Sequence, residues 1–301
     1  MISICIPVYN FDVRPTVERL ASQMSQLSVE AEIVCIDDCS TVSFPVPDVA
    51  PECHFQWIGL EHNVGRARIR NMFLRYARHD YLLFLDCDSL IPDGFLRRYI
   101  AQIASLQSPE SVVCGGRVYD AHDNTRRQRL RYRYGTQCES KAAAVRSNAP
   151  YKSFMTNNFI VHRAVLERVP FDERISQYGH EDTLFGYCLM QQGVPVIHLD
   201  NPVVNGDVES NREFLRKTQA GVQSLVEIYR RLGHDSAFVG QVALLKFYRR
   251  VQDARLIWAV RLGYGLSHRL LEWAFARGLC VNMTLFAFYK LGLFVQLLRQ
   301  R

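Results

Sequence analysis

The stretch Tyr81-Leu-Leu-Phe-Leu-Asp-Cys-Asp-Ser89 decides how the rest of the chain is read. Leu82 to Leu85 form an unbroken apolar run, too short for a helix and followed by a turn signal at Pro92-Asp93-Gly94. Such a run predicts a strand buried on both faces. It stops abruptly in two carboxylates, Asp86 and Asp88. Alternate residues of an extended chain point the same way, so both acids can face one spot at the strand's C-terminal edge, where open α/β sheets bind ligands. Two converging carboxylates repel unless a cation lies between them. Hard oxygen ligands suit Mg²⁺ or Mn²⁺, and a site with few protein ligands leaves coordination positions open for substrate phosphates. The plainer alternative is a solvated turn.

Upstream, Ile2 to Ile6 predicts a strand that stops at Pro7-Val-Tyr-Asn10, followed by a helix from about Val13 to Leu27 with Pro15 in its first turn. Glu32 to Ile36 predicts a second strand, which ends in Asp37-Asp38, another carboxylate pair at a strand end. Phe55 to Leu60 predicts a third, and Glu61-His-Asn-Val-Gly-Arg-Ala-Arg-Ile-Arg-Asn71 then opens a helix. Repeated strand, loop and helix units predict an α/β fold with a mostly parallel sheet flanked by helices, the loops opening on one edge. The Asn63-x-Gly65 turn and the helix bearing Arg66, Arg68 and Arg70 would bring backbone N–H groups, a positive dipole end and guanidinium groups beside the acids. That arrangement welcomes phosphate; the alternative is a solvated helix face.

Downstream, Pro92 to Leu106 predicts a helix and Ser111 to Arg117 a strand. Asp120 to Lys152 breaks the rhythm and interleaves arginines such as Arg126, Arg129 and Arg133 with Tyr132, Tyr134 and Tyr151. Such a segment could stack on bases. It carries no recognised nucleic-acid module, so a flexible loop over a phosphate-bearing substrate is expected and nucleic acid is not expected as a partner. Phe154 to Val161 predicts a returning strand. In Tyr178-Gly-His-Glu-Asp182 a glycine loop brings His180, Glu181 and Asp182 to a helix N-terminus. The dipole and free N–H groups there hold a carboxylate ionised, ready to accept a proton or simply to cap the helix.

The chain has 301 residues, 48% of them apolar, enough for a full core. Its N-terminus lacks a basic region and a small-residue cleavage site, which predicts no signal peptide. The nine cysteines form no CxxC pairs, and Cys5, Cys35, Cys87 and Cys188 sit singly in apolar stretches, so reduced thiols and a cytosolic setting are expected. The net charge of +6 is uneven: residues 210 to 301 hold 15 Lys and Arg against 5 Asp and Glu. Basic ends serve nucleic acid or anionic membranes alike.

Residues 1–215 are expected to form the α/β domain and residues 216–301 a helical extension. Leu279 to Leu298 is twenty residues with one charge, Lys290, and its polar residues are scattered around the helix. Lys290 near the middle argues against a spanning helix, while Arg269, Arg277, Arg299 and Arg301 suit anionic headgroups. The extension is therefore expected on the inner membrane surface or against a partner subunit, including a second copy. A helix buried in the protein's own core is the alternative.

Taken in order, Ile6-Pro-Val-Tyr-Asn10, Val34-Cys-Ile-Asp-Asp-Cys-Ser40, Asn63-Val-Gly65 with Arg70-Asn71, Phe84-Leu-Asp-Cys-Asp88, Thr156-Asn-Asn-Phe159 and Gly179-His-Glu-Asp182 resemble the inverting glycosyltransferases of family 2, of the GT-A fold. The match covers roughly residues 1 to 215. The resemblance implies Pro7, Tyr9, Asn10 and Asp38 around the nucleotide, joined by Asn63 and Gly65, with Arg70 on the base or diphosphate. It implies Asp86 and Asp88 on a divalent metal, Mn²⁺ or Mg²⁺, and on the diphosphate. Asp182 matches the catalytic base, and Glu181, His180, Asn157 and Asn158 would orient the acceptor. The implied partners are a nucleotide-sugar donor, with UDP as its nucleotide, and a glycan or lipid-linked acceptor of surface glycan synthesis.

One departure stands out. Related sequences often place a histidine where this chain has Asn205, which would leave Asp207, His198, water or a weaker site to complete metal binding. Two other readings stay open: nucleotidyl transfer to a sugar phosphate, although Pro7-Val-Tyr-Asn10 lacks the Gly-rich basic loop usual there, and a catalytically silent scaffold.

Overall fold

In the computed structural model, which describes residues 1–175 and 178–300, the run Tyr81–Leu85 is the central strand of a seven-stranded sheet. The chain begins with β1 (Ile2–Val8), α1 (Arg14–Met24), β2 (Ala31–Asp37), β3 (His54–Gly59), α2 (Arg66–Tyr76) and β4 (Tyr81–Leu85). It continues through β5 (Ser89–Leu90), α3 (Phe95–Ala104), β6 (Val112–Cys114), β7 (Arg117–Val118), α4 (Arg129–Tyr134) and α5 (Ala143–Ser147). Then come β8 (Asn158–His162), α6 (Arg163–Arg168), α7 (Glu181–Gln191), β9 (Val196–His198) and β10 (Val203–Asn205). Helices α8 (Asn211–Arg231), α9 (Ser236–Gln241), α10 (Ala243–Asp253), α11 (Ile257–Ala276) and α12 (Met283–Arg299) close the chain.

The large sheet has the order β3-β2-β1-β4-β8-β6-β9. Its strands pair in parallel, except that β8 runs antiparallel to both β4 and β6. Leu82, Leu83, Phe84 and Leu85 are wholly buried, which is why their sequence shows no alternation. Phe84 stacks on Phe159 of β8 at 4.9 Å and meets Phe73 of α2 edge-on at 5.5 Å, so one aromatic column fixes helix and strands together. The expected strand from Ser111 to Arg117 is broken at Gly115-Gly116. Its first part joins the large sheet, and its second a three-stranded sheet of order β5-β10-β7. The expected strand from Phe154 is shorter and starts at Asn158.

The chain divides into two compact units. The first comprises Met1–Val118, Glu139–Ser176 and Leu184–Asp207 and holds both sheets; the second comprises Tyr119–Cys138, Gln177–Thr183 and Val208–Arg301. The second therefore draws in two short segments that a single cut in the sequence near residue 215 leaves out.

Two expectations are corrected here. The segment 120–152 is not a flexible loop: it carries α4 and α5, with Leu130, Arg131 and Arg146 buried. Arg146 is held by the carbonyls of Lys141, Cys114, Gly115 and Leu199. The run Leu279 to Leu298 packs one side inward, where α12 buries Phe286, Tyr289, Leu291, Phe294 and Val295, while Leu279 and Leu285 stay exposed. The lone charge there is accommodated by rings, the Lys290 ammonium lying 4.8 Å from the Tyr134 ring centre and 5.2 Å from that of Phe286. No helix among the described residues is long and apolar enough to cross a membrane. Arg301, expected among the flanking cations, lies outside the described residues. All nine cysteines are free thiols.

Candidate active site

The β4 strand delivers its two acids into a tight turn. Asp86 donates its N–H to the carbonyl of Asn157 at 3.1 Å, and its own carbonyl accepts from the Ser89 N–H at 3.1 Å. The turn is then clamped from β10: Ser89 pairs with Asn205, and the Gly206 N–H donates to the Asp88 carbonyl at 2.7 Å. A Cβ on Gly206 would lie 2.8 Å from that carbonyl, so only glycine allows the approach.

Three guanidinium groups converge on Asp86. Arg70 reaches its Oδ1 at 3.1 Å, while Arg117 and Arg66 reach its Oδ2 at 3.3 and 3.6 Å. Arg70 is almost wholly buried, with its other terminal nitrogen on the Arg66 carbonyl and its charge 5.8 Å from the Phe171 ring centre. Arg117 also lies 3.6 Å from Asp88 Oδ1, too far for a hydrogen bond, and that oxygen is buried with no hydrogen-bond partner. Burial raises the Asp88 carboxyl above the usual carboxylate range, and Asp86 and Asp207 add to the rise against the pull of Arg117 and Arg66. Between the two acids, burial and both carboxylates push the Cys87 thiol up to about 12, so it stays protonated.

Around this edge stand the other strand ends. Pro7 lies on β1 opposite Ile36, and Tyr9 just beyond it is 48% exposed. Asn10 adopts a left-handed backbone, φ 51°, and its side-chain oxygen accepts from the N–H groups of Thr41 and Val42 at 2.7 and 3.0 Å. Asn10 thus ties the β1 loop to the β2 loop. Asp38 is buried and accepts the Val64 N–H on Oδ1 at 2.6 Å and the Gly65 N–H on Oδ2 at 3.1 Å. Asn63 Nδ2 returns a bond of 3.0 Å to the Asp38 carbonyl. Gly65, at φ 82°, opens α2, so Asp38 sets the position of the arginine helix as well as the loop beside it.

The donor set fits a divalent cation shared with a diphosphate. Two carboxylates are what such ions take from a protein when phosphates supply the rest, and among the described residues no three His, Cys, Asp or Glu side chains form a full cage. An orphaned, buried Asp88 oxygen in a carboxyl raised by burial and, less, by its acidic neighbours is what a cation would relieve. Ser89 Oγ, Asn157 Nδ2 and Asn205 Nδ2 are likewise buried without hydrogen-bond partners. His198 does not fill the place of the missing histidine. Its Nε2 donates to the Pro150 carbonyl at 3.0 Å and its Nδ1 takes the Arg146 guanidinium at 2.7 Å, so neither nitrogen is left for a metal. Asp207 is exposed and follows Gly206 directly.

Asn157 and Asn158 part company. Asn157 meets the acid turn through its backbone and keeps an unpartnered amide nitrogen. Asn158, expected to orient an acceptor, is used up inside the protein: Nδ2 donates to the Gly116 and Asn201 carbonyls at 2.9 Å each, and Oδ1 accepts from Tyr99 Oη at 2.7 Å. Its part is to hold the end of β8. Arg117 is the residue the sequence reading passes over as a site. It sits on a two-residue strand behind a glycine pair, with no motif or periodicity to mark it.

In the second unit, Gly179 and His180 are both left-handed, φ 98° and 66°, and deliver Glu181 and Asp182 into the first turn of α7. Glu181 is buried, and Asp182 Oδ1 accepts from the Thr183 N–H at 2.6 Å and from its hydroxyl at 3.2 Å. The carboxylate thus answers one of the free N–H groups of the helix's first turn. Burial lowers the half-buried His180 imidazole to about 4, with Lys290 adding to the effect and Glu181 opposing it.

The pattern of the family described as "Glycosyl transferase family 2" matches residues 3–169. Among curated proteins, a stretch of 154 residues is 25% identical to the chondroitin synthase of Pasteurella multocida (strain Pm70), covering 42% of this chain and 16% of that protein. Another of 85 residues is 33% identical to the succinoglycan biosynthesis protein ExoO of Rhizobium meliloti (strain 1021), covering 28% of this chain and 24% of that one. The chain thus matches less than a quarter of either relative's length. Among solved structures, the mannosyltransferase PcManGT from Pyrobaculum calidifontis, in complex with GDP-Man and Mn²⁺, is similar over 100% of this chain and 87% of its own, with a TM-score of 0.58 at 16% identity. The glucosyl-3-phosphoglycerate synthase of Mycobacterium tuberculosis, crystallised with Mn²⁺, UDP and glucosyl-3-phosphoglycerate, is similar over 78% of this chain and 81% of its own, with a TM-score of 0.51 at 17% identity. These likenesses establish the GT-A fold.

Proposed function

The chain belongs to glycosyl transferase family 2, and on that premise we propose that it moves a hexose from a UDP-sugar to an acceptor hydroxyl with inversion, using Mn²⁺ or Mg²⁺. The observation that carries this reading is the Asp86–Asp88 pair at the end of β4, ringed by Arg66, Arg70 and Arg117. Without ligand, the cations neutralise carboxylates. Asp86 and Asp88 would hold a divalent ion, and Arg66, Arg70 and Arg117 would take the oxygens of the diphosphate it accompanies.

In the transfer, the acceptor oxygen forms a bond to the anomeric carbon as the bond from that carbon to the diphosphate oxygen breaks. The departing diphosphate keeps the electron pair, and Arg66, Arg70 and Arg117 stabilise its charge. A bound divalent ion would supply Lewis-acid stabilisation of the same leaving group, held by Asp86 and Asp88. The acceptor proton passes to Asp182 in the first turn of α7. Asp38, with Asn63 and Gly65, frames the nucleoside together with Pro7, Tyr9 and Asn10, while Glu181, His180 and Asn157 orient the acceptor. That acceptor is a glycan or lipid-linked intermediate of surface polysaccharide synthesis, worked on at the cytoplasmic side. The glycan-building relatives support this class.

Calorimetry with UDP, GDP and dTDP, with and without Mn²⁺, followed by a donor screen scored by released UDP, tests the proposal. UDP should bind tightest and only with metal. A preference for GDP, or transfer without any divalent ion, overturns it.

A further inference from the structure

Helix α11 is apolar on both of its faces. Inward, Tyr264 and Phe275 are buried in the second unit's core with Leu130, Phe214, Phe286 and Tyr289. Outward, Trp258, Leu262, Leu266, Leu270 and Trp273 recur at helical spacing and are 64%, 57%, 81%, 66% and 47% exposed. A helix that is apolar all round is normally covered all round. Its inner side has its cover, and its outer side carries a Trp-to-Trp stripe open to solvent.

Charge indicates what that cover is. Arg261 and Arg269 are exposed on the same helix, Arg255 and Arg277 stand at its two ends, and the Arg277 guanidinium lies 4.8 Å from the Trp273 ring centre. The one acid on the helix, Glu272, is turned away, accepting from Tyr289 Oη at 2.7 Å and Gln219 Nε2 at 3.1 Å. Beside the stripe runs a groove of about 850 Å³ lined by Trp258, Arg261, His268, Gln296 and Arg299 among others. The exposed charges on α11 itself are both arginines, and with Arg255, Arg277 and Arg299 the cations around the stripe outnumber the one exposed acid beside its start, Asp253. Two copies packed through it would bring arginines against arginines, whereas an anionic lipid surface answers both the leucines and the charges.

We propose that the outward face of α11 docks on an anionic bilayer. The helix lies in the plane of the interface, with Leu262, Leu266 and Leu270 below the headgroups and Trp258 and Trp273 at the boundary, where tryptophan is favoured. Arg261, Arg269 and Arg299 sit among the phosphates. This goes beyond the transfer reading and does not depend on it.

Co-sedimentation of the full chain with vesicles of phosphatidylglycerol and phosphatidylcholine, or of phosphatidylcholine alone, at low and high salt tests it. The wild type should bind the anionic vesicles only, and less at high salt. Leu266→Glu with Leu270→Glu, both at exposed positions, should bind at least tenfold more weakly. Arg261→Gln with Arg269→Gln should lose about fivefold per arginine. Both variants should keep their melting temperature and UDP binding, which separates a failure of docking from a failure of the transfer proposal. Wild-type protein that stays in the supernatant with every vesicle overturns the inference. So does a leucine variant that sediments like wild type, or a wild-type dimer in light scattering that this variant splits while vesicles bind neither.

Discussion

Asn205 and Ser89 face each other as direct partners in the antiparallel β10–β5 ladder, and Asn205 Nδ2 and Ser89 Oγ are both buried with no hydrogen-bond partner. Directly opposed side chains in such a ladder stand about 5 Å apart, so two unanswered polar groups flank Asp88. An unpaired buried amide costs about 1–3 kcal/mol, which the fold tolerates when a ligand later completes the bonds. Asn205→Ala should therefore leave the ligand-free protein as stable or slightly more so, while weakening Mn²⁺ binding in the presence of UDP by about tenfold. Asn205→His, which offers imidazole in place of amide, should strengthen it. Paramagnetic resonance of free Mn²⁺ reads both; equal affinity in wild type and Asn205→Ala means the amide takes no part.

Arg117 bridges the two acids, 3.3 Å from Asp86 and 3.6 Å from Asp88. Charge-assisted bonds of this kind contribute roughly 1.5–3 kcal/mol. Arg117→Gln should weaken UDP binding about 10- to 100-fold and, by leaving Asp86 and Asp88 less well neutralised, lower the melting temperature of the ligand-free protein. UDP calorimetry beside thermal unfolding checks both. Unchanged UDP affinity would assign Arg117 to the fold alone.

The central acids, the arginine helix and the Asn63-Val-Gly65 turn are legible in the sequence because each is local: a strand, its end and the turn that follows. Asp38 is legible as a site residue, but its grip on the Val64 and Gly65 N–H groups joins residues 26 and 27 apart and appears only in three dimensions. Arg117 and the Asn158 network are invisible for the same reason, since Asn158 binds partners 42, 43 and 59 positions away. The C-terminal helices mislead in an instructive way. Hydropathy ranks Leu279 to Leu298 above α11, yet burial goes to α12 and exposure to the Trp258–Trp273 stripe, because composition does not say which of two apolar helices the core will cover.

His180 carries a pH dependence whose sign follows from its burial. Its imidazole titrates near 4 in the folded protein, against about 6.5 when unfolded. Between those values the unfolded chain binds more protons, so stability falls as pH drops from 6.5 towards 4, by up to about 3 kcal/mol. Asparagine suits the left-handed backbone at this position and does not titrate. His180→Asn should flatten the acid limb of the urea midpoint against pH while matching wild type at pH 8. Parallel limbs in the two proteins would show that some other group governs acid unfolding.

Binding and chemistry should separate at Asp88 and Asp182. Asp88, half-buried after β4 with one buried and unanswered oxygen, would act on ground state and leaving group alike through an ion it helps hold. Asp88→Asn should therefore lose UDP affinity and turnover together. Asp182 lies in the second unit, where its Oδ1 already accepts the Thr183 N–H at 2.6 Å. Asparagine can accept that same bond, so Asp182→Asn keeps the cap and removes only the basicity. Loss of a positioned general base costs about 10²- to 10⁴-fold, or roughly 3–5.5 kcal/mol of barrier. The variant should melt like wild type and bind UDP and Mn²⁺ with near-normal affinity, yet transfer almost no sugar. Transfer at close to the wild-type rate would reduce Asp182 to its cap and move the search for the base to Glu181 or Asp207; loss of UDP binding as well would mean that Asp182 belongs to the donor site.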